Sequence, residues 1–164
     1  MALDEYPQFI TIETPDGYGG VAPGNHWKTY IDTPNDFHAG RIMVIQKVEI
    51  WFGSNGANTV AIVKVNGRDD PTMDTSGKVQ LYGEDPSIIV VEEYQILAAP
   101  TGFRCLSEHD FSKMGGLLYP YKKIYLHIQN QTSSTVNVGR VSVRIWYKFT
   151  RVSAEELAQL LASE

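Results

Sequence analysis

The sequence predicts an all-β protein, an antiparallel two-sheet β-sandwich of the jelly-roll kind, closed by a short C-terminal α-helix. Three observations carry this. Runs of alternating apolar and polar residues recur along nearly the whole chain, separated by Gly-, Pro-, Asn- and Asp-containing turns. Strand and helix patterns do not alternate, so a parallel sheet with crossover helices is not expected. The last strand pattern, from Val136 to Phe149, ends in a switch of period from two to about 3.6. Such a pattern buries its apolar faces most simply as two packed sheets.

Residues 9–13 (Phe-Ile-Thr-Ile-Glu) form the first predicted strand. Residues 15–25 hold four glycines and two prolines, which is loop composition. His26–Asp32 is the second strand, and residues 33–40 turn. Residues 41–53 make a long third strand. Strict alternation puts Val44, Gln46, Val48, Ile50 and Phe52 on one side. It puts Met43, Ile45, Lys47, Glu49 and Trp51 on the other. Apolar residues on both sides predict a strand covered on both faces. Residues 54–58 (Ser-Asn-Gly-Ala-Asn) read as a hairpin loop into a fourth strand, 59–66, with Ala61, Val63 and Val65 inward.

A polar loop is predicted at 67–77, a short strand at 78–82 and a turn at 83–86. A strong strand at 87–97 and a short one at 100–105 follow. Residues 107–114 interrupt the β pattern. Ser107 and Asp110 resemble a cap and Gly115-Gly116 a stop, so one or two helical turns are predicted there. Residues 122–129 form a strand with Ile124, Leu126 and Ile128 inward, and 131–134 read as a hairpin turn into the final strand. In that strand Val141, Val143, Ile145, Tyr147 and Phe149 alternate with Ser142, Arg144, Trp146 and Lys148. Ser153 and Glu156 have capping-box spacing, and Leu157, Leu160 and Leu161 form one apolar stripe. The organisation expected is a sandwich domain over 1–152 and an amphipathic helix over 153–164. No internal repeat or linker divides it.

The chain has 164 residues, 43% of them apolar and 20% charged, enough for one packed domain. Nineteen acidic residues outnumber fourteen basic ones, for a net charge of −5. No Lys/Arg run exists at either end, so direct nucleic-acid binding is not expected, because phosphate neutralisation dominates that affinity. Cys105 is the single cysteine, which excludes an internal disulfide and a thiolate cluster, and it reads as a small buried hydrophobe. The acidic N-terminus lacks an apolar core and is not a secretory signal. No apolar run is long enough for a membrane span. Synthesis and folding in a cytoplasm are expected.

No motif argues for catalysis, and no catalytic residue, cofactor or metal ligand is assigned. The histidines, His26, His38, His109 and His127, are scattered, and no H-x-H element suggests a cupin-type metal site. His127 is placed on the outward face of its strand beside Tyr125 and Gln129. Asp69, Asp70 and Asp74 could ligate Ca²⁺, but their spacing matches no EF-hand loop. In the Glu92-Glu93 pair, one carboxylate is expected to face solvent or a partner and the other to be paired. The glycine-rich segments lack the order of a P-loop or dinucleotide fingerprint. No G-x-S-x-G elbow is present.

The informative residues are aromatic and apolar side chains on strands and on the terminal helix. Trp27, Tyr30, Trp51, Tyr125, Trp146 and Tyr147 lie where strands show two-sided apolar character. Aromatics on an outer sheet face bury against subunits or stack on sugars. The terminal helix is too short to be stable alone, so its leucines dock on their own sandwich or on a neighbouring subunit. The interface candidates are therefore Trp51, Trp146, Leu157, Leu160 and Leu161.

The strand pattern from Phe9 to Phe149, the helical insert and the ending Arg-Ile-Trp-Tyr-Lys-Phe-Thr-Arg-Val-Ser-Ala-Glu-Glu-Leu together resemble single jelly-roll structural proteins of viruses. The likeness is to small capsid proteins of icosahedral phages and archaeal viruses. It is one of pattern over nearly the whole chain. The basic N-terminal arm of many such proteins is missing here. The resemblance implies a non-enzymatic capsid shell, penton or decorating component in the virion, assembled in a host cytoplasm. Its partners would be copies of itself and other virion proteins. The alternative is a lectin-like module that binds a host-surface glycan on Trp27, Trp51, Tyr125 or Trp146, with Ca²⁺ at Asp69, Asp70 or Asp74. A cupin-like enzyme is disfavoured by the missing histidine cluster.

Overall fold

In the computed structural model, the described residues are 6–15, 20–54, 59–69, 86–96, 103–131 and 138–162. The predicted strand at 78–82 and most of the polar loop before it lie outside them. Nine strands are seen among the described residues: β1 (Gln8–Glu13), β2 (His26–Asp32), β3 (Arg41–Ser54), β4 (Thr59–Asn66), β5 (Val90–Ile96), β6 (Phe103–Asp110), β7 (Leu117–Tyr119), β8 (Lys123–Asn130) and β9 (Val138–Arg151). Helix α1 (Ala154–Ala162) follows directly.

The strands form two antiparallel sheets. One has the order β1-β9-β3-β6 with β7 also on β3, and the other β2-β8-β4-β5. The pairs β1–β9, β2–β8, β3–β6 and β4–β5 nest inside one another. That is the pairing of one long antiparallel hairpin wrapped into two layers, a jelly roll. Between the layers lies a continuous apolar core, including Ile45, Ile50 and Phe52 of one sheet and Ala61, Val63, Leu126 and Ile128 of the other.

Two predicted hairpins are corrected by this topology. β3 and β4 belong to different sheets, as do β8 and β9. The chain therefore changes layer from β3 to β4 and again from β8 to β9. Alternation marks a strand and its buried face, but either neighbour in the chain or one across the sandwich satisfies it equally.

The face assignment of β3 is corrected as well. Ile45 pairs with Tyr147 while Lys47 pairs with Trp146, so β3 carries one extra residue, Gln46, opposite β9. A bulge shifts the side-chain alternation by one. Met43 and Ile45 before it and Val48, Ile50 and Phe52 after it all enter the core. Most of the apparent two-sided character of this strand therefore comes from the bulge. A second shift, between Phe52 and Ser54, lets both Val138 and Val141 of β9 point inward.

The Gln46 bulge coincides with a break in the neighbouring edge. β6 pairs with 47–54 of β3, and β7 pairs with 43–45. Between them the Phe111 N–H donates to the Gln46 carbonyl at 2.8 Å. The predicted helical insert shrinks to a 3-10 turn, Ser112–Met114. Ser107 is a strand residue paired with Ile50, not a cap, because the β3 edge offers it backbone partners. Phe111 holds the cap position, and Asp110 just before it accepts from the Ser112 N–H at 2.8 Å. Gly116 leaves the turn at φ +89°, and a Cβ there would stand 2.5 Å from Val44 Cγ1. The left-handed backbone and the lack of room both demand glycine.

At the C-terminus the capping box forms as read. Glu156 N–H donates to Ser153 Oγ at 3.1 Å, and Ser153 N–H donates to Glu156 Oε2 at 2.7 Å. The Ser153 backbone bond, and then its side-chain bond, hold the Glu156 carboxyl below its ordinary range. A depressed carboxylate stabilises the helix start above the ordinary glutamate range and stops doing so as the pH falls through its folded value. The protection of α1 amides, corrected for the intrinsic slowing of exchange in acid, is therefore expected to fall on acidification before the sheets open. Glu156→Gln should abolish that acid-dependent step. Unchanged α1 protection down to the point of global unfolding would refute it.

Candidate functional site

Among the described residues, the space between the sheets is filled mainly by apolar side chains. Inward positions on both sheets hold apolar side chains that are almost fully enclosed, such as Ile45, Ile50, Val63, Leu126 and Val143. A metal-binding β-barrel enzyme needs polar ligands and space at those positions. Among the described residues no group of three or more His, Cys, Asp or Glu is placed to hold a metal. Cys105 lies half-buried against the core, and burial raises its thiol pKa, which makes it a weak nucleophile.

The outer face of the five-stranded sheet carries the candidate surface. Three rows cross it, set by the strand register. Phe9, Trp146, Lys47 and Asp110 form one row. Thr11, Arg144, Glu49 and Glu108 form the next, and Glu13, Ser142, Trp51 and Leu106 the third. Phe9, Trp51 and Leu106 are 51%, 36% and 49% exposed, high values for large apolar groups. The fold thus brings the predicted Trp51 and Trp146 onto one face, from strands that are neighbours only in space.

Arg144 ties the face together. Its guanidinium lies 4.8 Å from the Phe9 ring centre and 5.2 Å from that of Trp51. Phe9 and Trp146 rings are 5.0 Å apart. Lys47 sits 5.5 Å over Trp146 and pairs with Glu49 at 2.6 Å. The Glu49 hydrogen bond is the main reason the Lys47 ammonium pKa is raised. Arg144 Nε and Trp146 Nε1 are enclosed without a hydrogen-bond partner. Unpaired enclosed donors are costly, so the face as it stands is not fully satisfied.

Beside it a cleft of about 400 Å³ is lined by Glu13, Trp51, Gly53, Arg140 and Ser142, among others. The cleft is walled on one side by one of the predicted tryptophans. Trp27, by contrast, packs against the core and cannot serve as an outward platform. Tyr30 and Tyr125 do lie side by side on the outer face of the four-stranded sheet, 5.5 Å apart, with Lys123 Nζ over Tyr30. Asp69 is engaged by Lys28, and the other two predicted Ca²⁺ ligands, Asp70 and Asp74, fall outside the described residues.

Helix α1 buries none of its residues. Leu157 and Leu160 are half-buried and Leu161 is 38% exposed. The helix lies beside the turn at 37–40, where Phe37, His38, Gly40, Val152, Leu157 and Leu161 line a shallow groove. This is a separate region from the tryptophan-bearing face.

The four-stranded sheet holds a feature that spacing could not disclose. His26 Nε2 lies 3.1 Å from His127 Nδ1, and the rings stack. His127 is on the outward face of β8, as read, yet fully buried there; Lys64, Asn66 and Gln129 on the same face are buried too. His127 Nε2 faces two acceptors, Asn66 Oδ1 and the Arg68 carbonyl, and so is the donor there. The pair arises from the β2–β8 register across 101 residues. Glu92 and His109 join β5 to β6, and so one sheet to the other, while Glu93 stays exposed as predicted for one carboxylate of that pair.

No family model matches the chain, and no curated protein matches it. Solved structures do resemble it. A chain of tomato aspermy virus is similar at 13% identity and TM-score 0.49, covering 90% of this chain and 79% of that one. VP1 of trichodysplasia spinulosa-associated polyomavirus is similar at 7% identity and TM-score 0.36, over 93% of this chain and 98% of that one. The decameric BFDV capsid protein is similar at 10% identity and TM-score 0.30, over 88% and 96%.

Proposed function

We propose that this chain is a virion structural protein of the capsid type, a shell, penton or decorating component that works by assembling with copies of itself. The observation that carries the reading is the outer face of the five-stranded sheet. It exposes Phe9, Trp51 and Leu106 around enclosed, unpartnered Arg144 and Trp146 nitrogens. A jelly roll with a filled interior and such a face is suited to packing against protein. The half-covered leucines of α1 offer a second contact, on the chain's own turn or on a neighbour. No reaction is part of this reading, and the virion is the proposed location, with other virion proteins as further partners.

Light scattering on the purified full chain, and on a version ending at Ser153, tests it. A discrete oligomer or closed shell without added ligand is expected. Dissociation on truncation would assign α1 to the contact between subunits. A monomer at every concentration, with or without α1, would overturn the assembly reading.

One observation favours a second reading, a glycan-binding module: Trp51 walls a cleft that also holds Glu13, Arg140 and Ser142. Stacking of a sugar on an indole beside charged and hydroxyl groups would use that arrangement. Saturable quenching of tryptophan fluorescence by a sugar, lost in Trp51→Ala, would support it. Silence across a glycan panel would end it.

A further inference from the structure

We infer that the outer face of the five-stranded sheet binds a second copy of this chain through the same face, laying the β1–β9 half of each copy on the β3–β6 half of the other. This rests on the assembly reading above and names the partner and its arrangement.

The argument is the distribution of charge. Arg144 and Lys148 of β9 have no ion-pair partner among the described residues. Glu108 of β6, two strands away across β3, has none either. Lys47 and Glu49, between them on β3, already pair with each other. Asp110 is held by Ser112, and Glu13 accepts from Ser142 Oγ. The unsatisfied cations thus lie on one half of the face and the unsatisfied anion on the other.

Each half also carries exposed apolar bulk: Phe9 beside Trp146 on one, Trp51 beside Leu106 on the other. Such a face is complementary to itself under a two-fold, where residue i meets j and j meets i. A nucleic acid would meet Glu49, Glu108 and Asp110 on this face, and an acidic protein would find half of it repulsive. A second copy satisfies both halves at once. Charged pairs at the rim would then fix the register while the aromatic groups supply burial.

The test is a charge swap read by sedimentation on the full-length chain. Glu108→Arg alone and Lys148→Glu alone are each expected to weaken self-association at least tenfold. An equimolar mixture of the two should recover a one-to-one dimer. Leu106→Asp, an exposed position that should leave the fold intact by circular dichroism, is expected to abolish the dimer. Self-association unaffected by all three variants but lost on removing α1 would overturn this inference and leave the assembly reading standing. A wild-type monomer would sink both. Weakening by the single variants with no recovery on mixing would overturn the two-fold arrangement.

Discussion

Deleting Gln46 is expected to leave no natively folded protein. The residue is the extra one in the bulge that sets Met43 and Ile45 on the same side as Val48, Ile50 and Phe52. Without it, strict alternation sends one of these two groups to the outer face. Fully burying each such side chain is worth about 1.5–3 kcal/mol, so moving two or three of them consumes most of the roughly 5–15 kcal/mol by which a domain of this size is stable. The slip also displaces the carbonyl that accepts from Phe111 and with it the junction between β6 and β7. Gln46→Ala is the control. It keeps the backbone bulge and loses only a side chain whose Nε2 donates to the Val44 carbonyl at 3.3 Å, a weak bond. Amide–nitrogen correlation spectra decide the matter. Collapsed dispersion for the deletion and native dispersion for the substitution are expected. A deletion variant that melts like the parent would show that the register of β3 is not as described.

Phe52→Ala should be a severely damaging truncation of the core. Phe52 is buried in β3 and stacks face to face on Tyr94 of β5, with ring centres 4.4 Å apart. It thus joins the two sheets at the side where Tyr94 Oη also donates to Ser107 Oγ at 3.0 Å. Loss of a buried phenyl ring costs about 3–5 kcal/mol. At roughly 2–4 °C per kcal/mol for a domain of this length, the melting temperature should fall by about 10 °C. A second readout is specific to the site. Burial pushes the Tyr94 hydroxyl pKa up to about 12, against the opposing effect of the Ser107 bond. A raised phenol contributes stability below the ordinary tyrosine pKa of about 10 and loses it as the pH rises toward the folded value. Opening a cavity beside the ring should bring the Tyr94 titration down and remove part of that alkaline loss. An unchanged alkaline melting profile in the variant would contradict the role given to the stack.

Much of the fold was legible because alternation is a local consequence of β geometry. The faces of β4, β8 and β9 follow from residues two apart: Ala61, Val63 and Val65; Ile124, Leu126 and Ile128; Val143, Ile145 and Tyr147. The cap of α1 was legible for the same reason, since Ser153 and Glu156 are three residues apart and bond to each other. The candidate surface was legible in part. Trp51 and Trp146 could be named from outward positions, but Phe9, Leu106 and Arg144 join them only through strand pairing. The bulge at Gln46 escaped because nothing local marks an extra residue; it exists only relative to β9.

What the sequence determined by itself is what depends on neighbours along the chain: most of the strands, though not β7 or the end of β6, and the capped helix that follows them. What only the tertiary structure decided is everything set by pairing across the sandwich. It turned two supposed hairpins into crossovers, buried His127 beside His26, and gathered Phe9, Trp51, Leu106 and Trp146 onto one face. The physical reason is that a β-strand satisfies its backbone with a partner that may lie more than a hundred residues away, as β1 does with β9. The identity and register of that partner are fixed by the packing of both sheets together, and no short stretch of sequence contains them.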